Sequence, residues 1–184
     1  MNAKHLILVL GAACILIIGC APSTTVRDNL PPLTTVPRVD LSRYMGTWFD
    51  IASFPQSFQK GCHASTATYT LRDDGLVTVV NRCRKGGLDG PWDQATGVAR
   101  VTDPATGARL KVSFFRPFWG DYWIIDLDPE YRYAVVGHPS RDYLWILSRT
   151  PSIDPAVYQR IIERLKALRY PVERLRQTPQ PPPG

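Results

Sequence analysis

Between Thr47 and Arg149 one pattern repeats: a short run rich in β-branched and aromatic residues, then turn residues, then another such run. The runs are Thr47 to Phe54, Ala64 to Arg72, Leu76 to Cys83, Thr96 to Thr102, Arg109 to Phe115, Tyr122 to Leu127, Arg132 to Gly137 and Tyr143 to Arg149, eight in all. Ala67, Tyr69 and Leu71 alternate with Thr66, Thr68 and Thr70, and Leu110, Val112 and Phe114 alternate with Arg109, Lys111 and Ser113. Such period-two runs are strands with one buried face. Asp73-Asp74-Gly75 is hairpin chemistry, with glycine supplying positive φ. After Arg149 the period changes. Asp154-Pro155 starts a helix, and Val157, Ile161, Leu165 and Leu168 give it one apolar stripe before Pro171 ends it. Eight antiparallel strands joined by short turns predict an all-β, up-and-down barrel with the helix packed outside, because closure removes exposed sheet edges. From pattern alone a two-layer sandwich stays open.

The first 19 residues predict a signal peptide: Lys4 in a short polar start, an apolar run from Leu6 to Ile18, then Gly19-Cys20. The run is shorter than the roughly 20 residues a spanning helix needs. Ile17-Ile18-Gly19-Cys20 resembles the bacterial lipobox, which implies that Cys20 is acylated. Ala21 follows where an Asp would favour inner-membrane retention, so the resemblance implies the outer membrane. Residues 20–38, rich in Pro, Thr and Ser, predict a flexible tether, and 39–176 the folded domain. The Pro-rich end, 177–184, predicts a loose tail.

Cys14 leaves with the signal and Cys20 is assigned to lipid, so Cys62 and Cys83 remain as an even pair in an oxidising compartment and predict a disulfide. The competing reading is a reactive thiol, with His63 beside Cys62 as its only support. The formal net charge is +6, with Arg160, Arg164, Lys166, Arg169, Arg174 and Arg176 clustered late in the chain. That cluster suits an anionic membrane surface or simply a solvated helix face, and no nucleic-acid motif accompanies it.

Tyr44-Met45-Gly46-Thr47-Trp48 resembles the Gly-x-Trp signature of the lipocalins. Arg149, ending Tyr143 to Arg149, matches the family's last block, and Asp126-Leu127-Asp128-Pro129-Glu130-Tyr131 its middle block less faithfully. Three blocks in order, on the right strands and with the helix after the last, identify the chain as similar to the bacterial outer-membrane lipoprotein lipocalins, relatives of apolipoprotein D and the plant temperature-induced lipocalins. The resemblance implies that Trp48 and Arg149 close the barrel's base. It places Tyr69, Phe114, Trp145 and Leu147 on a pocket wall, with Asn81 as a polar contact and Tyr133 as a looser candidate. The same aromatics would also serve as plain core filling.

The implied ligand is a fatty acid, a lysophospholipid or a similar small lipophile, bound for storage or transport at the outer membrane. No cofactor or metal is expected, since His63 and His138, the only histidines past the signal, are not spaced as ligands. An enzyme acting on a lipophilic substrate is the alternative, with Cys83 its one candidate. No Ser-His-Asp arrangement presents itself in the sequence. Both a monomer and a homodimer stay open.

Overall fold

A computed structural model describes residues 30–182. The expected signal peptide, Cys20 and most of the tether lie outside the described residues. A single turn of helix, α1 (Leu41–Tyr44), precedes eight strands: β1 (Gly46–Ser53), β2 (Cys62–Leu71), β3 (Val77–Lys85), β4 (Trp92–Val101), β5 (Arg109–Ser113), β6 (Gly120–Leu127), β7 (Tyr133–Gly137) and β8 (Leu144–Ser148). Helix α2 (Pro155–Ala167) and a two-residue strand, β9 (Arg176–Gln177), follow. Each of the eight pairs antiparallel with the next, and β1 pairs with both β2 and β8, so the sheet closes. The sandwich alternative is thereby excluded.

Two apolar clusters divide the packing. Inside the barrel, Trp48, Tyr69, Val77, Val79, Ile124 and Leu147 pack with Tyr44 of α1. Outside, Ala52, Phe54, Ile125, Val135, Leu144 and Ile146 meet Ile161, Leu165 and Tyr170 of the helical segment. The apolar stripe read from the sequence is therefore the docking face of α2. Its N-cap is Asp154, whose carboxylate accepts from the Ala156 and Val157 amides. Because both faces of β7 and β8 are covered, these strands read as continuous apolar runs.

The loops sort into two ends. Those between β2 and β3, β4 and β5, and β6 and β7 lie with α1 at one end, together with the Trp48 base. Those between β1 and β2, β3 and β4, β5 and β6, and β7 and β8 lie at the other, open end.

The described parts of both expected loose segments are held. Leu33 and Val36 are buried, the Val36 amide donates to the Ile124 carbonyl at 3.0 Å, and Arg141 Nη2 donates to the Pro31 carbonyl. These contacts correct the tether reading for residues 31–38. At the other terminus, β1 and β2 pair only from Gly46 to Phe49, and β9 takes up the vacated edge of β1 at Ala52 and Ser53. The Thr178 amide donates to Ile51, the Ala64 amide donates to the Pro179 carbonyl, and Gln180 Nε2 donates to the carbonyls of Asp50 and Ser65. Residues 177–180 are thus part of the wall rather than a loose tail. An unpaired edge of backbone groups needs partners whatever the composition of the segment that supplies them.

Candidate functional site: the open half of the barrel

The base is built around Trp48, which has no exposed surface. Its indole Nε1 donates to the Tyr44 carbonyl at 2.9 Å, and the Arg149 guanidinium lies 3.8 Å from its ring centroid. Gly46 has φ +92°, and a Cβ there would sit 3.3 Å from Arg149 Nη1. Conformation and close approach both require glycine in the Gly-x-Trp motif. The middle block braces the same end. Asp128 accepts from the Glu130 and Arg132 amides, and Tyr131, at φ +60°, directs its hydroxyl to the Asp40 amide that precedes α1.

Above the base sit three tyrosines. Tyr122 Oη lies 2.7 Å from Tyr44 Oη and 2.9 Å from Tyr69 Oη. Burial pushes all three phenols up, Tyr69 to about 12, so they stay neutral over the whole physiological range. Tyr69 therefore forms part of a filled floor with its hydroxyl satisfied.

The open half differs. The register aligns Ala67, Asn81 and Ala95 in one inward row and Tyr69, Val79 and Gly97 in the next. Ala95 faces inward and is nevertheless exposed, because β4 outruns β5 and residues 92–96 pair with β3 alone. A Cβ on Gly97 would fall 2.8 Å from Phe114 Cδ1, so glycine makes room for that ring at the rim. Asn81 Oδ1 is buried without a hydrogen-bond partner. On β8, Leu147 is buried in the interior cluster and Trp145 packs against it half-buried. Trp145 Nε1 donates to Gln59 Oε1 at 3.0 Å.

Gln59 leads to a group the sequence did not disclose. Its Nε2 donates to Asp50 Oδ2, as does the Ser53 hydroxyl, while Asp50 Oδ1 is buried and unpartnered. Asp50 pairs with Leu147, which turns it inward. Burial raises its carboxyl to about 6, against the Ser53, Gln59 and Thr178 hydrogen bonds that favour the carboxylate. Asp50, Ser53, Gln59, Cys62, Ser65 and Thr178 border a cavity of about 440 Å³ at the open end, where β1 and β2 part.

The six expected pocket residues separate accordingly. Trp145, Leu147, Asn81 and Tyr69 face inward, and Phe114 stands at the rim, 42 % exposed. Tyr133 does not belong with them. Ala134 and Val136 occupy the inner face of β7, so Tyr133 points outward against the α2 cluster. None of the six borders the 440 Å³ cavity; Trp145 reaches it through Gln59.

Cys62 and Cys83 form the disulfide, with Cα atoms 5.3 Å apart. The bridge spans the irregularity between His63 and Thr66, where β2 loses register with β3. No thiol is left there for nucleophilic chemistry. Among the described residues no group of three or more His, Cys, Asp or Glu is placed to hold a metal, and no helix is long and apolar enough to cross a membrane.

One Ser–His–Asp contact does occur: His138 Nδ1 lies 2.9 Å from Ser140 Oγ, and Nε2 3.7 Å from Asp121 Oδ2. It is a turn clasp rather than a nucleophile, since the Ser140 amide donates into the same Nδ1 and the Asp142 amide donates to the Ser140 hydroxyl. Asp121 flanks the inward Tyr122 and so faces outward, away from the hollow.

A lipocalin-like domain model matches residues 39–180. The outer membrane lipoprotein Blc of Escherichia coli K12 is 47 % identical over 150 residues, covering 82 % of each chain. Temperature-induced lipocalin-1 of Arabidopsis thaliana is 40 % identical, covering 80 % of this chain and 83 % of its own. Apolipoprotein D of Mus musculus is 30 % identical, covering 89 % and 84 %. Among solved structures, insecticyanin from the tobacco hornworm Manduca sexta superposes with a TM-score of 0.66 at 18 % identity, covering 83 % of this chain and 87 % of that one. That likeness supports the fold alone. With the Gly46-x-Trp48 base, the Arg149 clasp and the closed eight-stranded barrel, these matches make the chain a member of the lipocalin family.

Proposed function

We propose that the protein is a lipid-anchored lipocalin of the bacterial outer membrane that carries a fatty acid, lysophospholipid or similar small lipophile in the open half of its barrel. What supports the reading is the division of the inner wall. Its lower half is bulky, dry and clasped by Arg149, whereas its upper half presents the small residues Ala95 and Gly97, with the Phe114 ring beside Gly97 and Trp145 on β8. A site of this kind is mostly apolar with few polar groups. The cavity of about 440 Å³ around Asp50 and Gln59, lined mostly by polar residues, adjoins it through the Trp145–Gln59 hydrogen bond. An acyl chain would lie along the apolar side. The polar end would meet Asp50 and Asn81, whose unpartnered oxygens favour a hydrogen-bond donor such as a hydroxyl or an ammonium group.

The anchoring half of the proposal rests on the Cys20 lipobox and on relatives named as outer membrane lipoproteins. At least two acyl chains are needed for stable attachment, and an acylated N-terminal cysteine supplies them. The carrier half is tested by titrating the chain with fluorescent fatty-acid and lysophospholipid probes. Micromolar or tighter binding is expected, weakened about fivefold or more in Trp145→Ala, and saturable binding by neither probe would contradict it.

A further inference from the structure

Of the eight large hydrophobic side chains exposed among the described residues, only Leu71 sits at the closed end; the rest ring the mouth. Each open-end loop supplies at least one. Phe58 stands in the β1–β2 loop, Leu88 in the β3–β4 loop with Trp92 just after it, Phe115 and Phe118 in the β5–β6 loop, and Tyr143 before β8. Phe115 is 75 % and Phe118 70 % exposed, their rings are stacked with centroids 6.2 Å apart, and the Phe118 amide donates a hydrogen bond to the Phe115 carbonyl. Their packing is with each other rather than with the barrel. Trp119, by contrast, is only partly exposed beneath Arg100, whose guanidinium lies 4.6 Å from its ring centroid.

Basic groups accompany the rings. Arg116 lies between Phe115 and Phe118, Lys60 follows Phe58 by two positions, and the Arg82 and Arg84 guanidiniums lie 4.6 and 4.0 Å from the Trp92 ring centroid. Asp89, Asp93, Asp121 and Asp142 are the acidic neighbours, with Asp93 ion-paired to Lys85 at 3.4 Å, Asp121 to Lys111 at 3.6 Å and Asp142 to Arg174 at 3.8 Å. Soluble monomers rarely gather exposed apolar groups at one end, and aromatic rings beside cations suit the headgroup layer of a bilayer.

The path of the N-terminal segment points the same way. Pro31 is tied to Arg141 in the open-end loop between β7 and β8, so the described chain starts beside the mouth. Ten further residues reach back to Cys20, at most roughly 35 Å when fully extended. This second support rests on the anchoring proposed above; the ring of side chains does not.

We infer that the open-end loops form a membrane-docking collar, seating the mouth on an anionic phospholipid surface so that a lipid passes between bilayer and barrel without crossing water. The test uses residues 20–184 with Cys20→Ser, which lacks the anchor, and vesicles of phosphatidylethanolamine with phosphatidylglycerol. The protein is expected to co-sediment with the vesicles. Phe115→Ser with Phe118→Ser should weaken binding about tenfold, Phe58→Ser on a separate loop several-fold, and Leu71→Ser at the closed end not at all. Absence of vesicle binding, or equal losses from Leu71→Ser and the loop variants, overturns the collar. So does a vesicle-free dimer abolished by the Phe115 and Phe118 changes, which would assign the patch to a second copy. Probe binding measured without vesicles separates the two proposals. If it persists while vesicle binding is absent, the collar fails and the carrier reading stands; vesicle binding without probe binding leaves the collar standing and removes the carrier.

Discussion

Arg149 clasps Trp48 at the base of the barrel by contacts on two sides. Its guanidinium lies 3.8 Å from the centre of the indole and donates to the carbonyls of Thr47, Arg43 and Met45 at 2.8–2.9 Å. Those carbonyls run from the end of α1 through Met45 into the start of β1, so one side chain from the end of β8 ties the start of the barrel to its last strand.

Replacing Arg149 by methionine keeps the apolar stem but removes the cation and its donors. Hydrogen bonds to charged groups contribute about 1.5–3 kcal/mol and a desolvated cation–π contact up to about 2 kcal/mol. The losses overlap, so a net destabilisation of about 3 kcal/mol is expected in urea unfolding. Arg149→Lys should recover less than half, because a compact ammonium lacks the planar fork that lies over the indole while its two Nη atoms reach separate carbonyls.

Asp50 makes stability depend on pH in an unusual direction for a carboxylate. Its folded value of about 6 lies above the unfolded 3.8, so the folded state holds the proton more tightly. Its contribution is therefore fully present below about pH 3.8 and is lost as pH rises through 6, on the order of 3 kcal/mol across that window. Asp50→Asn should flatten this dependence, so that the wild-type minus variant stability difference slopes between pH 4 and 7. A difference that is flat in that window would contradict the assignment.

The C-terminal segment is wall, and deleting residues 178–184 removes the bonds from Thr178, Pro179 and Gln180. At about 0.5–1.5 kcal/mol per net hydrogen bond, a loss of about 2 kcal/mol is expected. The Ala64 amide, bonded to the Pro179 carbonyl at 2.7 Å, should become one of the fastest-exchanging amides of β2 in hydrogen–deuterium exchange.

The Cys62–Cys83 bridge closes a loop with a sequence separation of 21. Chain-entropy reasoning gives about 3 kcal/mol for a loop of that size. Reduction should lower stability by that order, and thiol titration of the unreduced protein should find neither cysteine free.

The sheet is legible in the sequence because β2, β3 and β5 each keep one face polar, so Tyr69 and Leu110 announce the inner side by alternation. Asp50 is not. Ile51 and Ala52 of β1 pack in the outer cluster with α2, which leaves apolar residues after Asp50, and the irregularity between Asp50 and Ala52 breaks the period. The same covering hides the direction of Tyr133, whose aromatic character matches a pocket while its parity with Val135 places it under the helix. Tyr122 gives no signal of its own, because its hydroxyl role depends on Tyr44 and Tyr69, brought together only by closure. Pro content conceals the tail's role, since β9 is recruited by the free edge of β1 rather than by strand propensity.

If the open half of the barrel holds a lipophilic guest, native mass spectrometry of protein extracted from its own membrane detects it most directly. One acyl-chain lipid per barrel is expected beyond the chains proposed for Cys20, lost on denaturation and depleted in Trp145→Ala. Wild-type protein carrying its anchor but no releasable lipid, and taking up none after incubation with fatty acid or lysophospholipid, would contradict the carrier function.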